Sequence, residues 1–146
     1  MPDRCPKDGG FIGQSGCTHP NHVHSPKVQA LLAEKVPHTI DVADANAALN
    51  EGFYVENPEG TRVGFGWNLK GHLDNHGFAQ SLERKTHLLY AIDTVRTTRP
   101  VESTRENGYM EYAKIYGDFS VLAISSPEGE IEEMVTFYLP KKGKTA

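Results

Sequence analysis

The chain has 146 residues, 15 Lys and Arg against 19 Asp and Glu, and a formal net charge of −4. One core is affordable at this length and two are not, and 38% hydrophobic with 23% charged residues excludes collagen, coiled coil and wholesale disorder. The longest apolar runs fall far short of the ~20 residues that a membrane-spanning helix needs, and the polar start MPDRCPKDGG holds no apolar signal core, so a cytoplasmic setting without a membrane is the expectation.

Residues 1–25 stand apart as a Gly-rich segment that holds both cysteines and has no helical or strand period. Residues 26–146 read as a single domain. Ser25-Pro26 is an N-cap followed by a first-turn proline for the helix VQALLAEKV, which Pro37 stops. A second short helix follows Asp41 or Asp44 through ANAALNE, with Gly52 as its left-handed terminator. FYVE and TRVGFGW alternate apolar and polar residues across the turn NPEG, which predicts a β-hairpin.

Asn68 can cap a short helix, LKGHLDNH, that Gly77 ends. A longer helix is predicted from about Gln80 to Thr97, with Leu82, Leu89, Ile92 and Val95 on its inner side and Arg99-Pro100 beyond its end. The period then changes to two: YMEYAKIY, FSVLAIS and IEEMVTFYL are strands separated by Gly-Asp and by SPEGE, an antiparallel meander. Helices gathered before strands give an α+β fold, a sheet packed on the long helix.

Residues 84–116 are the one net-basic stretch, with six basic and four acidic groups. A polyanion has a local footing there, although the chain lacks the global basic field of most DNA-binding domains. Within it Arg84 and Lys85 read as a solvated helix face.

Cys5, Cys17, His19, His22 and His24 lie within twenty residues, and tetrahedral zinc takes four such ligands. CPKDGGF looks like the first knuckle of a zinc ribbon with Asp8 in the place of the second cysteine. Cys5, Asp8, Cys17 and His22 make one ligand set, and His19 or His24 replaces Asp8 in another. A disulfide between Cys5 and Cys17, or a decayed site, are the competing readings. Zinc bound here would be structural, since the segment has too little apolar content to order itself.

His72 and His76 are four apart and share a face of the predicted short helix. They do not make a zincin motif, because position 73 is Leu where the general-base Glu belongs. In the meander, Tyr112, Lys114 and Tyr116 alternate with Ala113 and Ile115, and Thr136 and Tyr138 with Val135, Phe137 and Leu139. The apolar set is expected under the helices. The other set offers a cation, a hydroxyl and phenols, which suits an RNA-cleaving cleft and equally suits a solvated face of cross-strand aromatic pairs.

The order HLDNHG, a helix ending IDTVRTTRPVE, then YAKIYG, VLAIS and TFYLPKK resembles the phage-associated nuclease branch of the barnase–EndoU–colicin–RelE superfamily. With the lead-in FYVENPEGTRVGFGW the resemblance spans roughly residues 53–142, and the Cys/His-rich start is similar to that of phage head-morphogenesis polyproteins. It implies a small α+β domain with metal-independent, toxin-like endoribonuclease activity, no catalytic cofactor, an RNA substrate and a cognate immunity protein. By position it implies His76, with His72 beside it, as the helix histidine, Arg105 and Lys114 as the phosphate-holding residues, and Thr136 with Tyr138 as the terminal-strand hydroxyls. Imidazole, titrating near neutral pH, would take the proton of a ribose 2′-OH and later return one. The rival class is a non-catalytic, zinc-stabilised module of a phage structural protein.

Overall fold

The computed structural model describes residues 25–75, 78–103, 108–128 and 131–140. The predicted zinc ligands Cys5, Asp8, Cys17 and His22, together with His76 and Arg105, lie outside the described residues. The described part is an α+β fold. Its elements in chain order are α1 (Pro26–Ala33), α2 (Val42–Glu51), β1 (Phe53–Glu56), β2 (Arg62–Phe65), α3 (Trp67–Asp74), α4 (Phe78–Thr86), α5 (Leu88–Thr97), β3 (Val101–Glu102), β4 (Met110–Tyr116), β5 (Phe119–Glu128) and β6 (Ile131–Tyr138).

The local signals act as expected at the start of the domain. Ser25 Oγ accepts the Val28 N–H at 3.3 Å, and Pro26 occupies the first turn of α1, where no backbone donor is needed. The helix stops at Ala33 rather than continuing toward Pro37, and Arg96 of α5 donates to the Leu32 carbonyl at 2.7 Å, pinning that end to the core. Gly52 closes α2 with φ 79°, a backbone conformation that a side chain would strain.

The hairpin β1–β2 is antiparallel, with Phe53 opposite Phe65 and their rings stacked at 5.2 Å. Its turn is held by Asn57, whose Oδ1 accepts from the Glu59 and Thr61 amides. The meander β4–β5–β6 is antiparallel as predicted. What joins the two is a parallel pairing of β2 with β6, Val63 beside Glu132 and Gly64 beside Glu133, giving one six-stranded mixed sheet in the order β1-β2-β6-β5-β4-β3.

The long helix predicted over Gln80–Thr97 is two helices. In an unbroken helix the Glu83 carbonyl would accept the His87 N–H. Here that oxygen instead accepts from Thr86 Oγ1 at 2.8 Å and from His87 Nδ1 at 2.7 Å, while the His87 amide turns to the Arg84 carbonyl. The chain is redirected at His87, and α5 then lays Leu88, Leu89, Ala91, Ile92 and Val95 on the sheet. Likewise α3 begins at Trp67, before the expected cap Asn68, and ends at Asp74 with Asn75 as its C-cap.

The orientation of β4 is the reverse of the expected one. Tyr112 is fully buried and Ile115 is 80% exposed, so Tyr112, Lys114 and Tyr116 face the helices and Ala113 and Ile115 face away. Tyrosine brings more apolar area than alanine or isoleucine when its hydroxyl finds a partner. Each does. The Tyr112 hydroxyl donates to Glu132 Oε1 at 2.6 Å and accepts from Asn57 Nδ2 at 3.0 Å, and Ser125 Oγ also donates to Glu132 Oε1. The Tyr116 hydroxyl donates to Asp93 Oδ2 at 2.6 Å. Burial first, and then the adjacent carboxylates Glu132 and Asp93, push both phenols well above their ordinary pKa, so both remain donors.

Candidate anion-binding site

Two strands across, β6 keeps the expected orientation. Phe137 points into the core, and Thr136 and Tyr138 lie on the opposite face, in register with Ile124 and Leu122. A bulge at Val135 makes this possible, because β5 pairs Ser125 with Met134 and Ile124 with Thr136, skipping one residue of β6. The pairing of β6 with β2 involves Glu132 and Glu133, and α3 also packs against β6.

Next in sequence, α4 brings Arg84 onto Tyr138, with the guanidinium carbon 4.8 Å from the ring centroid. Three buried side-chain polar atoms have no hydrogen-bond partner among the described residues: Arg84 Nη1, Thr136 Oγ1 and Asn46 Oδ1. Arg84 is stacked on the Tyr138 ring, and Thr136 stands two residues before Tyr138 on the same face of β6. Guanidinium nitrogen can only donate, and a threonine hydroxyl can donate. A buried donor without an acceptor is costly, and an acceptor oxygen would satisfy either. Burial draws the Arg84 pKa down, opposed by Tyr138 and Glu83, yet an arginine keeps its charge in such surroundings.

Below this spot, Asp74 links two helices. It accepts from Lys70 Nζ at 2.9 Å within α3 and from Lys85 Nζ of α4, whose side chain is only 7% exposed. Lys85 thus sits in the packing between helices, where a solvated face was expected. The helical spacing of Ser81 and Lys85, both buried, carried that signal in the sequence, since residues four apart share a face.

The other predicted residues divide. His72 is exposed on α3. Lys114 lies on the helix-facing side of β4, its Nζ held by Asp93 Oδ2 at 2.8 Å and by Thr97 Oγ1 at 2.9 Å. The structure therefore brings Thr136 and Tyr138 together and leaves Lys114 on the other face of the sheet, committed to a carboxylate. Among the described residues no three His, Cys, Asp or Glu side chains gather as metal ligands would, and no described helix is long and apolar enough to cross a membrane. No family model, curated protein or solved structure matches the chain.

Proposed function

We propose that the protein is a metal-independent endoribonuclease that grips the scissile phosphate with Arg84, Thr136 and Tyr138, the histidine coming from His72 or His76. The observation that carries this is two unpartnered buried donors, Arg84 Nη1 on the side chain stacked over Tyr138, and Thr136 Oγ1 two residues before Tyr138 on β6. They fit the non-bridging oxygens of a phosphodiester, whose charge grows as the 2′-oxygen attacks. Both atoms are shut off from solvent, so admitting the phosphate takes a rotation of the Arg84 side chain off the ring. Phosphate contact is thereby assigned to Arg84 in place of Lys114, whose ammonium Asp93 already occupies.

In the reaction, imidazole takes the 2′-OH proton, the 2′-oxygen forms a bond to phosphorus, and the bond from phosphorus to the 5′-oxygen breaks. A proton passes to that leaving oxygen, leaving a 2′,3′-cyclic phosphate and a 5′-OH. Arg84 offsets charge through a planar fork suited to phosphate, and Thr136 donates to the second oxygen.

Cleavage of mixed RNA by the purified protein in excess EDTA tests this directly. Fragments ending in 2′,3′-cyclic phosphate are expected, slowed about 10²–10⁴-fold by His72→Ala with His76→Ala and strongly by Arg84→Gln. Intact RNA, or cleavage unchanged in all three substitutions, overturns the proposal. RNA bound but left uncut identifies the site as a non-catalytic phosphate holder.

A further inference from the structure

At one margin of the sheet, β3 is only two residues long and pairs with Met110 and Glu111, so residues 112–116 of β4 have no strand on their outer side among the described residues. The direction of their backbone groups follows from the hairpin. Tyr116 faces Phe119 across the two-residue turn Gly117-Asp118, with Gly117 at φ 62°, and the residues that close such a turn exchange both of their hydrogen bonds. Alternation then sends the N–H and C=O of Tyr116, Lys114 and Tyr112 to β5, and those of Ile115, Ala113 and Glu111 to the outer edge. The Ser103 amide donates to the Tyr109 carbonyl at 2.8 Å, which is the same phase two residues on. Glu111 is opposite Val101 of β3, while no described strand meets Ala113 or Ile115.

Edges of this kind are commonly guarded by an exposed lysine or by proline. Lys114 does not guard this one, because Asp93 and Thr97 hold its ammonium on the helix side. The other side shows Val101, Ala113 and Ile115, which share a face by their registers, with Val101 59% and Ile115 80% exposed. Acids flank the stretch. Glu102 and Glu111 stand at its β3 end and Asp118 in the turn at the other, and neither Glu102 nor Asp118 is in an ion pair with a described residue. Against these three carboxylates stands Arg99, exposed just before β3, since Lys114 is already neutralised by Asp93.

We infer that the outer edge of β4 docks an extended segment of a partner protein, apolar at alternate positions and basic at both ends. Such a segment adds a strand to the sheet. Its backbone pairs with Ala113 and Ile115, its apolar side chains cover Val101, Ala113 and Ile115, and its end cations meet Glu102 and Glu111 on one side and Asp118 on the other. A second copy of this chain fits less well: two β4 strands pairing antiparallel about Lys114 set Glu111 of one copy opposite Gly117 of the other, bringing like charges together beside Asp118. The docking site does not rest on the ribonuclease reading.

The test uses the peptide acetyl-Lys-Lys-Thr-Val-Thr-Val-Thr-Lys-Lys-amide, a version with glutamate in place of its lysines, and a version N-methylated at both valines. By calorimetry the lysine-ended peptide should bind about 10-fold more tightly than the glutamate-ended one, the scale of a few exposed ion pairs, and less tightly as salt is added. N-methylation should abolish binding. In the free protein the Ala113 and Ile115 amides should exchange with deuterium faster than those of Lys114 and Tyr116, and the peptide should slow them. Ile115→Pro removes an outward N–H at an edge position that tolerates proline and should abolish binding with the circular dichroism spectrum kept. Ile115→Lys, a second variant that puts a guarding charge on the edge, should weaken it. Equal binding of the two charged peptides, binding that survives N-methylation, or none at about 1 mM, the weak end of recognition, overturns the inference. So does a dimer in sedimentation with the Ala113 and Ile115 amides already protected, which assigns the edge to a second copy.

Discussion

Replacing Thr136 by valine separates the stability of this sheet from its activity. Thr136 is 7% exposed, and its Oγ1 is buried with no partner. Leaving a polar group buried and unpaired costs ~1–3 kcal/mol. Valine has the same shape, puts a methyl where the hydroxyl was and suits a strand equally well. The native state should gain about 1–2 kcal/mol by losing that penalty, which in a domain of this size raises Tm by ~2–4 °C per kcal/mol. Thermal and urea unfolding followed by circular dichroism measure the gain. RNA cleavage by the same variant should fall about 10²–10³-fold, the cost of one donor to a developing oxyanion. A lower Tm for Thr136→Val would mean that the hydroxyl is satisfied in the native protein, and the anion site would lose its foundation.

Three further outcomes follow from the geometry. Tyr112→Phe removes the hydroxyl that ties Asn57 to Glu132 and should cost about 2–4 kcal/mol, a charge-assisted bond plus a stranded amide. Ile115→Ser, at 80% exposure, should change stability by less than about 0.5 kcal/mol, and urea titrations giving the opposite ranking would overturn the reversed orientation of β4. Asp74 titrates below its ordinary 3.8, so its ion pairs contribute in full above that value and are lost as pH falls through the lower folded pKa. Urea midpoints should thus drop more steeply below pH 4 in the native protein than in Asp74→Asn, and parallel curves would exclude the linkage.

What was legible in the sequence was what neighbours along the chain decide. Ser25-Pro26, Gly52 and NPEG each act within a turn, and the starts of α1, the end of α2 and the β1–β2 hairpin follow from them. The meander was legible too, because a period of two needs no distant information. Alternation, however, defines two faces without saying which is inside. On β6 the apolar content chose correctly, so Thr136 and Tyr138 were placed on the right face. On β4 it did not, because Tyr112 and Tyr116 are amphipathic and their partners Glu132 and Asp93 come from other elements. The split at His87 depended on two side chains outcompeting one amide for the Glu83 carbonyl. Arg84 became visible as a site residue only when α4 was seen to meet β6, a contact that spans more than fifty residues of sequence.

The place of β6 also sets the order in which the protein can become itself during synthesis. The last described strand, β6, is inserted between β2 and β5, not added at a margin, so a nascent chain ending before residue 131 holds two separate pieces of sheet with no shared strand among the described ones. Thr136 and Tyr138 emerge from the ribosome some fifty residues after Arg84, and the pair of donors comes together only when translation of this sheet is complete.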